Sequence, residues 1–226
     1  MSFLISPARR RVSRAHRVVT LSPFMSTAAA LRKQMRARRR ALSVAERHTC
    51  ARQLVRRVTA LKVFSHAHHI AAYLAVDGEM DPAPLLERAW ELSKQVYLPV
   101  LAGIPAVHLL FAPYHRHSAM QPNRFGILEP VVPAGELLPP QRLDLVLTPL
   151  VAFDSSGTRL GMGGGFYDRS FAFRNNPAHL PRPLLLGLAY EWQKLAELPR
   201  QDWDIPLDGI VTEQAVYSIP GGHPLE

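Results

Sequence analysis

The stretch from Asp154 to Arg169 reads Asp-Ser-Ser-Gly-Thr-Arg-Leu-Gly-Met-Gly-Gly-Gly-Phe-Tyr-Asp-Arg, and it holds five of the chain's 13 glycines. It follows the continuous apolar run Leu143–Phe153, which has the character of a central strand covered on both faces, and it leads into an aromatic segment of helical character. A strand that empties into glycines and then into a helix presents bare backbone N–H groups at the positive end of a helix dipole, a geometry suited to phosphate. Arg159 and Arg169 bracket the run, and Asp168 is placed to hold a metal against bound oxygens. The stretch therefore reads as a nucleotide-phosphate loop. It matches neither standard pattern: the Walker loop needs Gly-Lys-Ser/Thr where Phe166-Tyr167-Asp168 stands, and the dinucleotide loop needs a third glycine where Phe166 stands. A bare surface turn is the alternative for any glycine cluster; the two arginines and the carboxylate weigh against it.

The rest of the chain bounds what such a loop can serve. With 226 residues, 47% of them hydrophobic, it can bury a substantial core. No apolar run approaches the roughly 18 residues of a membrane span, so no membrane partner is expected. Cys50 is the only cysteine, which rules out an internal disulfide and fits a reducing compartment such as the cytoplasm. The formal charge of +9 is unevenly spread. Residues 1–45 carry 11 of the 27 Lys and Arg and no acid; the other 16 face all 18 acids, a balance of −2. A specific nucleic-acid groove across the body is not expected, and only the basic arm would touch polyanions. Residues 1–26, with Arg9, Arg10, Arg11, Arg14 and Arg17, read as a disordered Arg-rich extension. It is either a transit peptide, which would direct the chain to an organellar matrix, or a segment upstream of a natural start at Met25.

From Thr27 the pattern is helical, with Leu31, Met35 and Leu42 at helical spacing. Arg32, Lys33, Arg36, Arg38, Arg39 and Arg40 read chiefly as a solvated face, from which one or two cations reach a phosphate. Ser43 and Glu46 form a capping box for a second helix with the stripe Val44, Leu54, Val58 and Leu61. A strand at His69–Val76 breaks at Asp77-Gly78-Glu79-Met80-Asp81-Pro82. Pro82 opens a helix through Leu92, and Gln95–Pro99 completes a βαβ unit. Acids after a strand lie where open α/β sheets bind ligands, and Glu79 is the favoured one. Val107–Ala112 and Pro183–Ala189 read as further strands, and Ile210–Thr212 as the last. His115 and His117, and the group His66, His68 and His69, lack the Cys or carboxylate spacing of a closed zinc site and read as surface or packed side chains. Residues 27–217 are expected to form a single α/β domain, and 218–226 a frayed tail.

Five segments together resemble the 5-formyltetrahydrofolate cyclo-ligase (methenyltetrahydrofolate synthetase) family: Leu150–Asp154, Arg159–Arg169, Asp77–Glu79, Phe125–Pro130 and Trp203–Pro206. The resemblance runs in order from about Leu31 to Thr212. It implies a three-layer α/β/α fold with a mostly parallel, Rossmann-like sheet. It also implies an enzyme that uses ATP and Mg2+ to convert 5-formyltetrahydrofolate to 5,10-methenyltetrahydrofolate, releasing ADP and phosphate. By matching position, Arg32 and the run Arg159, Leu160, Gly161, Met162, Gly163, Gly164, Gly165, Phe166 and Tyr167 would bind ATP. Leu74 and Glu79, with Met162, Gly163, Gly164, Gly165 and Phe166, would contact the folate. Asp168 and Asp204 would serve magnesium, and Arg159 and Arg169 would be the catalytic cations. The chain departs from some relatives at Ala28, Met162 and Gly164, where those carry cations. The expected partners are the two small-molecule substrates, with no specific nucleic acid and no membrane, and the expected state is a monomer. The rival readings are a nucleotide-binding relative without the activity and an RNA-binding protein that uses the basic arm.

Overall fold

The apolar run Leu143–Phe153 divides where Pro149 ends a strand, so the sheet and the glycine loop are separate pieces of architecture. In the computed structural model, which describes residues 27–103, 107–176, 182–220 and 222–226, the run supplies two strands. The expected direct passage from central strand to glycines is replaced by a turn and a hairpin. In chain order the strands are β1 (His69–Ala71), β2 (Gln95–Ala102), β3 (His108–Pro113), β4 (Met120–Pro122), β5 (Leu128–Pro130), β6 (Leu145–Pro149), β7 (Ala152–Phe153), β8 (Arg159–Leu160), β9 (Leu184–Leu188), β10 (Gly209–Val211) and β11 (Val216–Ser218). The α-helices are α1 (Ala28–Ala41), α2 (Val44–Thr59), α3 (Lys62–His66), α4 (Ala83–Glu91) and α5 (Phe166–Ser170). The Arg-rich extension, residues 1–26, lies outside the described residues.

Seven strands form one sheet in the order β11-β10-β9-β6-β1-β2-β3. Its five inner strands are parallel, and the edges β3 and β11 run antiparallel. The βαβ unit forms as expected, with Ile70 opposite Val96 across β1 and β2 and α4 between them. The edge strand β11 was not expected; its short, half-exposed sequence carries no continuous apolar signal.

Alternation along the strands builds two cores. Ile70, Leu145, Leu147, Leu186 and Leu188 face α2, α3 and α4. Ala71, Val146, Leu185 and Ile210 face Phe153, Phe171 and Ile205 on the other side. That second layer is thin, built from α5, a 3₁₀ turn at Ala172–Asn175 and irregular chain. Each fully buried Leu or Phe contributes about 2 kcal/mol. A third cluster joins Leu31 and Met35 of α1 to Val151, Ala152, Leu195 and Leu198, so α1 packs on the β7–β8 side.

The caps follow the sequence. Thr27 Oγ1 accepts from the Ala30 amide at 3.3 Å. Ser43 Oγ accepts from the Glu46 amide at 3.2 Å, while Glu46 Oε2 accepts from the Ser43 amide at 2.8 Å. Val44 departs from the expected stripe: as the first helical residue it is 59% exposed, and Ala51, Leu54 and Val58 carry the buried face. The carboxyl-terminal residues, expected to fray, return to the body. Leu225 is buried against Gly209, and its carbonyl accepts from the Val63 amide.

Candidate active site

The glycine loop is held open by arginines on its carbonyl side. Arg32 Nε of α1 donates to the Gly161 carbonyl at 2.8 Å, and Arg169 Nη2 donates to the Gly164 carbonyl at 2.8 Å. Arg169 Nε also donates to the Val107 carbonyl at 2.9 Å, and its guanidinium lies 5.2 Å from the centre of the Phe166 ring. With the carbonyls so engaged, the backbone N–H groups of Met162, Gly163, Gly164 and Gly165 find no acceptor among the described residues. Gly163 and Gly165 adopt φ of +97° and +65°, which bulkier residues resist. Met162 is half exposed at the tip. The α5 segment that follows is a five-residue helix, so the loop's unpaired amides, more than a long helix dipole, make it receptive to an anion.

Behind the loop, Arg159 is almost wholly enclosed, its side chain 6% exposed. Its Nη2 contacts Asp168 Oδ1 at 2.6 Å, and its Nη1 donates to the Ile205 carbonyl. Burial lowers the Arg159 pKa, while Asp168, Tyr167 and Asp204 favour its charge. Asp168 Oδ1 also accepts from the Ile205 amide at 3.3 Å, and Asp204 Oδ2 accepts from the Gln201 amide at 2.8 Å. Two carboxylates thus share the field of one buried cation. That donor set suits magnesium, which binds through one or two carboxylates and takes its other oxygens from phosphate and water. Among the described residues no group of three or more His, Cys, Asp or Glu could enclose a metal by itself.

The acidic turn after β1 meets the later turns of α1, whose first turns reach the glycine loop through Arg32. The Glu79 amide donates to the Val76 carbonyl at 3.1 Å, and Asp77 and Gly78 take φ of +52° and +72°, closing a tight left-handed turn. Glu79 is buried, and one of its oxygens accepts from the Val76 amide at 3.2 Å. Burial raises its pKa against the opposing influence of Arg39. The Tyr190 hydroxyl after β9 donates to the Glu79 carbonyl at 3.3 Å, so this turn meets the carboxyl edge of the parallel strands. Leu74 is partly buried and lines a cleft of about 70 Å³ with Tyr73, Trp90 and Tyr114. Tyr167 feels both groups: its ring stacks on Phe171 with centroids 6.1 Å apart, burial and Glu79 raise its pKa, and Arg159 opposes them. Phe125, from the Asn123–Ile127 turn between β4 and β5, meets Phe166 edge-on with centroids 5.9 Å apart.

The expected solvated face of α1 holds at Lys33, Arg38 and Arg40, which are exposed, and is corrected at Arg39. Arg36 contacts Asp77 at 2.5 Å, Arg40 contacts it at 3.3 Å, and Arg38 lies 4.4 Å from the centre of the Trp192 ring. Arg39 is 1% exposed and contacts Glu79 at 3.3 Å. The signal was present in the sequence, since Leu31, Met35 and Arg39 recur every four residues and so share one helix stripe. A charged residue on that stripe either finds a buried partner or is not tolerated there. The histidines sit elsewhere. His69 packs on Tyr97 and lies 3.6 Å from Asp144, and His115 and His117 line an open cleft beside Trp90.

A mostly parallel sheet that brings a glycine loop with unpaired amides, a buried arginine and two carboxylates together near its carboxyl edge has the form of an α/β enzyme site. A sequence model of the 5-formyltetrahydrofolate cyclo-ligase family matches residues 25–213. The 5-formyltetrahydrofolate cyclo-ligase of Escherichia coli (strain K12) is 43% identical over 183 residues, covering 81% of this chain and 98% of that protein. The Haemophilus influenzae enzyme of the same name is 39% identical over 181 residues, covering 80% and 95%. The solution structure of Aquifex aeolicus 5,10-methenyltetrahydrofolate synthetase superposes with a TM-score of 0.73 at 33% identity, covering 88% of this chain and 96% of that one. The chain belongs to the 5-formyltetrahydrofolate cyclo-ligase family and is an enzyme. No helix among the described residues is long and apolar enough to cross a membrane.

Proposed function

We propose that the enzyme converts 5-formyltetrahydrofolate to 5,10-methenyltetrahydrofolate, consuming ATP in the presence of Mg2+ and releasing ADP and phosphate. The observation that carries this reading is the set of unpaired amides at Met162–Gly165, framed by Arg32, Arg159 and Arg169. A formamide carbonyl is a weak electrophile and its oxygen a poor leaving group, so ring closure needs activation. The formyl oxygen attacks the γ-phosphorus and the bond to ADP breaks. N10 then attacks the formyl carbon and gives up its proton, and the C–O bond breaks as phosphate departs.

Transfer of this kind is chiefly positioning and charge neutralisation. The loop amides receive the phosphates, with Arg32, Leu160 and Tyr167 completing the nucleotide site. Arg159 holds positive charge where the phosphoryl group passes, and Arg169 braces the loop from its carbonyl side. Asp168 and Asp204 would hold magnesium, which supplies neutralisation of the triphosphate. Glu79 accepts from the pterin's N–H donors, and Leu74, Phe166 and the loop border the folate. The lone Cys50 supports a reducing compartment such as the cytoplasm. Mixing pure protein with ATP, magnesium and 5-formyltetrahydrofolate tests the reading directly. The methenyl product's near-ultraviolet absorbance should grow with ADP release; ADP release without that absorbance would favour a nucleotide-binding relative of other activity.

A further inference from the structure

We infer that Arg39 is a positioning residue: from the buried side of the Val76–Glu79 turn, it fixes the orientation and charge of Glu79 so that the carboxylate meets the folate ionised. The inference rests on the reading of Glu79 as a folate contact. Arg39 Nη1 lies 3.3 Å from Glu79 Oε1 and 3.5 Å from the Leu150 carbonyl, and Nη2 lies 3.6 Å from Asp77 Oδ2. At 1% exposure the side chain is walled off from solvent.

Two features argue that the guanidinium is there for its charge. Its Nε and Nη2 have no hydrogen-bond partner, so it is a poor structural hub. A buried ion pair is also often replaceable by apolar side chains at no loss of stability. An apolar residue at 39 would extend the Leu31–Met35 stripe, yet it would leave Glu79 without a counter-charge in an enclosed site.

The geometry fits a carboxylate that still has work to do. Arg39 takes one oxygen of Glu79 and the Val76 amide takes the other. A carboxylate offers about four acceptor sites, so its outer lone pairs stay available to a ligand's donors. The other charged or titratable groups facing Glu79 do not favour its ionisation. Asp77 stands in the same turn; Tyr73, whose hydroxyl donates to the Met80 carbonyl, and Tyr167 lie near; and the Tyr190 hydroxyl reaches the Glu79 carbonyl. Arg39 is thus the cation that opposes burial, and the close approach of Gly78 to the Arg39 carbonyl sets its distance from the turn.

The test is calorimetric titration of 5-formyltetrahydrofolate across pH, with ATP titrated in parallel, on full-length wild type, Arg39→Gln, Arg39→Lys and Glu79→Gln. For Arg39→Gln we expect folate affinity at neutral pH to fall on the order of tenfold and the acid limb of binding to move to higher pH. ATP affinity should be unchanged. Arg39→Lys should return the acid limb toward wild type while recovering affinity only in part, because a point charge does not reproduce the guanidinium's reach. A wild-type limb and affinity in folded Arg39→Gln would overturn the inference. If that variant does not fold, Arg39→Lys decides: wild-type affinity there overturns it equally. Glu79→Gln should lose the limb altogether. Wild-type folate binding by Glu79→Gln would sink the folate role of Glu79 itself, an outcome distinct from failure at Arg39 alone.

Discussion

Arg159 and Asp168 are locked together: Nη2 of the buried guanidinium lies 2.6 Å from Oδ1 of a carboxylate that keeps 26% of its surface exposed. The pair spans the glycine loop, one member on β8 and the other on α5, so the loop's two ends are tied by charge. It also holds the Arg159 guanidinium in place, between Asp168 and the Ile205 carbonyl.

Replacing Arg159 with Ala should therefore act on stability and on nucleotide binding together. Breaking a buried pair from one side costs about 3–5 kcal/mol, and the remaining exposure of Asp168 lowers this to roughly 1–3 kcal/mol. Urea unfolding should show that loss, and calorimetry should show weaker ATP binding. Normal ATP affinity in a folded variant would count against the role given to Arg159.

Asp168→Asn keeps the shape of the side chain and removes its charge. If Asp168 and Asp204 hold magnesium, the metal concentration giving half-maximal rate should rise by about tenfold or more, with folate binding preserved. A magnesium titration identical to wild type would remove Asp168 from that role.

Gly78→Ala places a Cβ 2.8 Å from the Arg39 carbonyl oxygen at a residue whose φ is +72°. Both the contact and the backbone oppose it, and a loss of about 1–3 kcal/mol is expected. Because Gly78 precedes Glu79, folate affinity should fall as well. A melting temperature within error of wild type would show that the helix and turn can separate at little cost.

Asp77 supplies a pH signature. Burial pulls its pKa upward, but the Arg36 hydrogen bond and the charges of Arg36, Arg40 and Arg39 outweigh it, so the folded value is lowered. A lowered carboxylate stabilises the fold above its unfolded pKa, about 3.9, and that contribution is lost as pH falls through the folded value. Asp77→Asn should thus be less stable than wild type at neutral pH, and the difference should shrink as the pH drops below about 4. Urea midpoints that differ equally at neutral and acid pH would show that the ion pairs contribute nothing.

Much of this was legible in the linear text because it depends on neighbours in sequence. The Ser43–Glu46 box, the Pro82 helix start, the βαβ unit and the buried strands follow from local chemistry and periodicity, and the glycine loop announced itself by composition. Val44 and β11 were missed for the converse reason: one end of a helix does not share the burial of its middle, and a short edge strand carries little apolar signal. The break at Pro149 was hidden by an apolar run that continues through it, since hydrophobicity records burial and not direction.

What the order of residues determined by itself was the kind of most of the longer elements, the helices α1, α2 and α4 and the inner strands, and the presence of a glycine-rich loop. What only the tertiary structure decided was partnership. Arg39 and Glu79, and Phe125 and Phe166, meet because the fold brings distant segments together, and Arg159 and Asp168 meet because the loop between them folds back on itself. Partner choice among charges depends on who shares a desolvated space, and no local pattern encodes that. Among the arginines that look like a wetted surface in sequence, Arg39 becomes, once α1 docks on the acidic turn, the counter-charge of the buried Glu79, while Arg36 and Arg40 pair with Asp77.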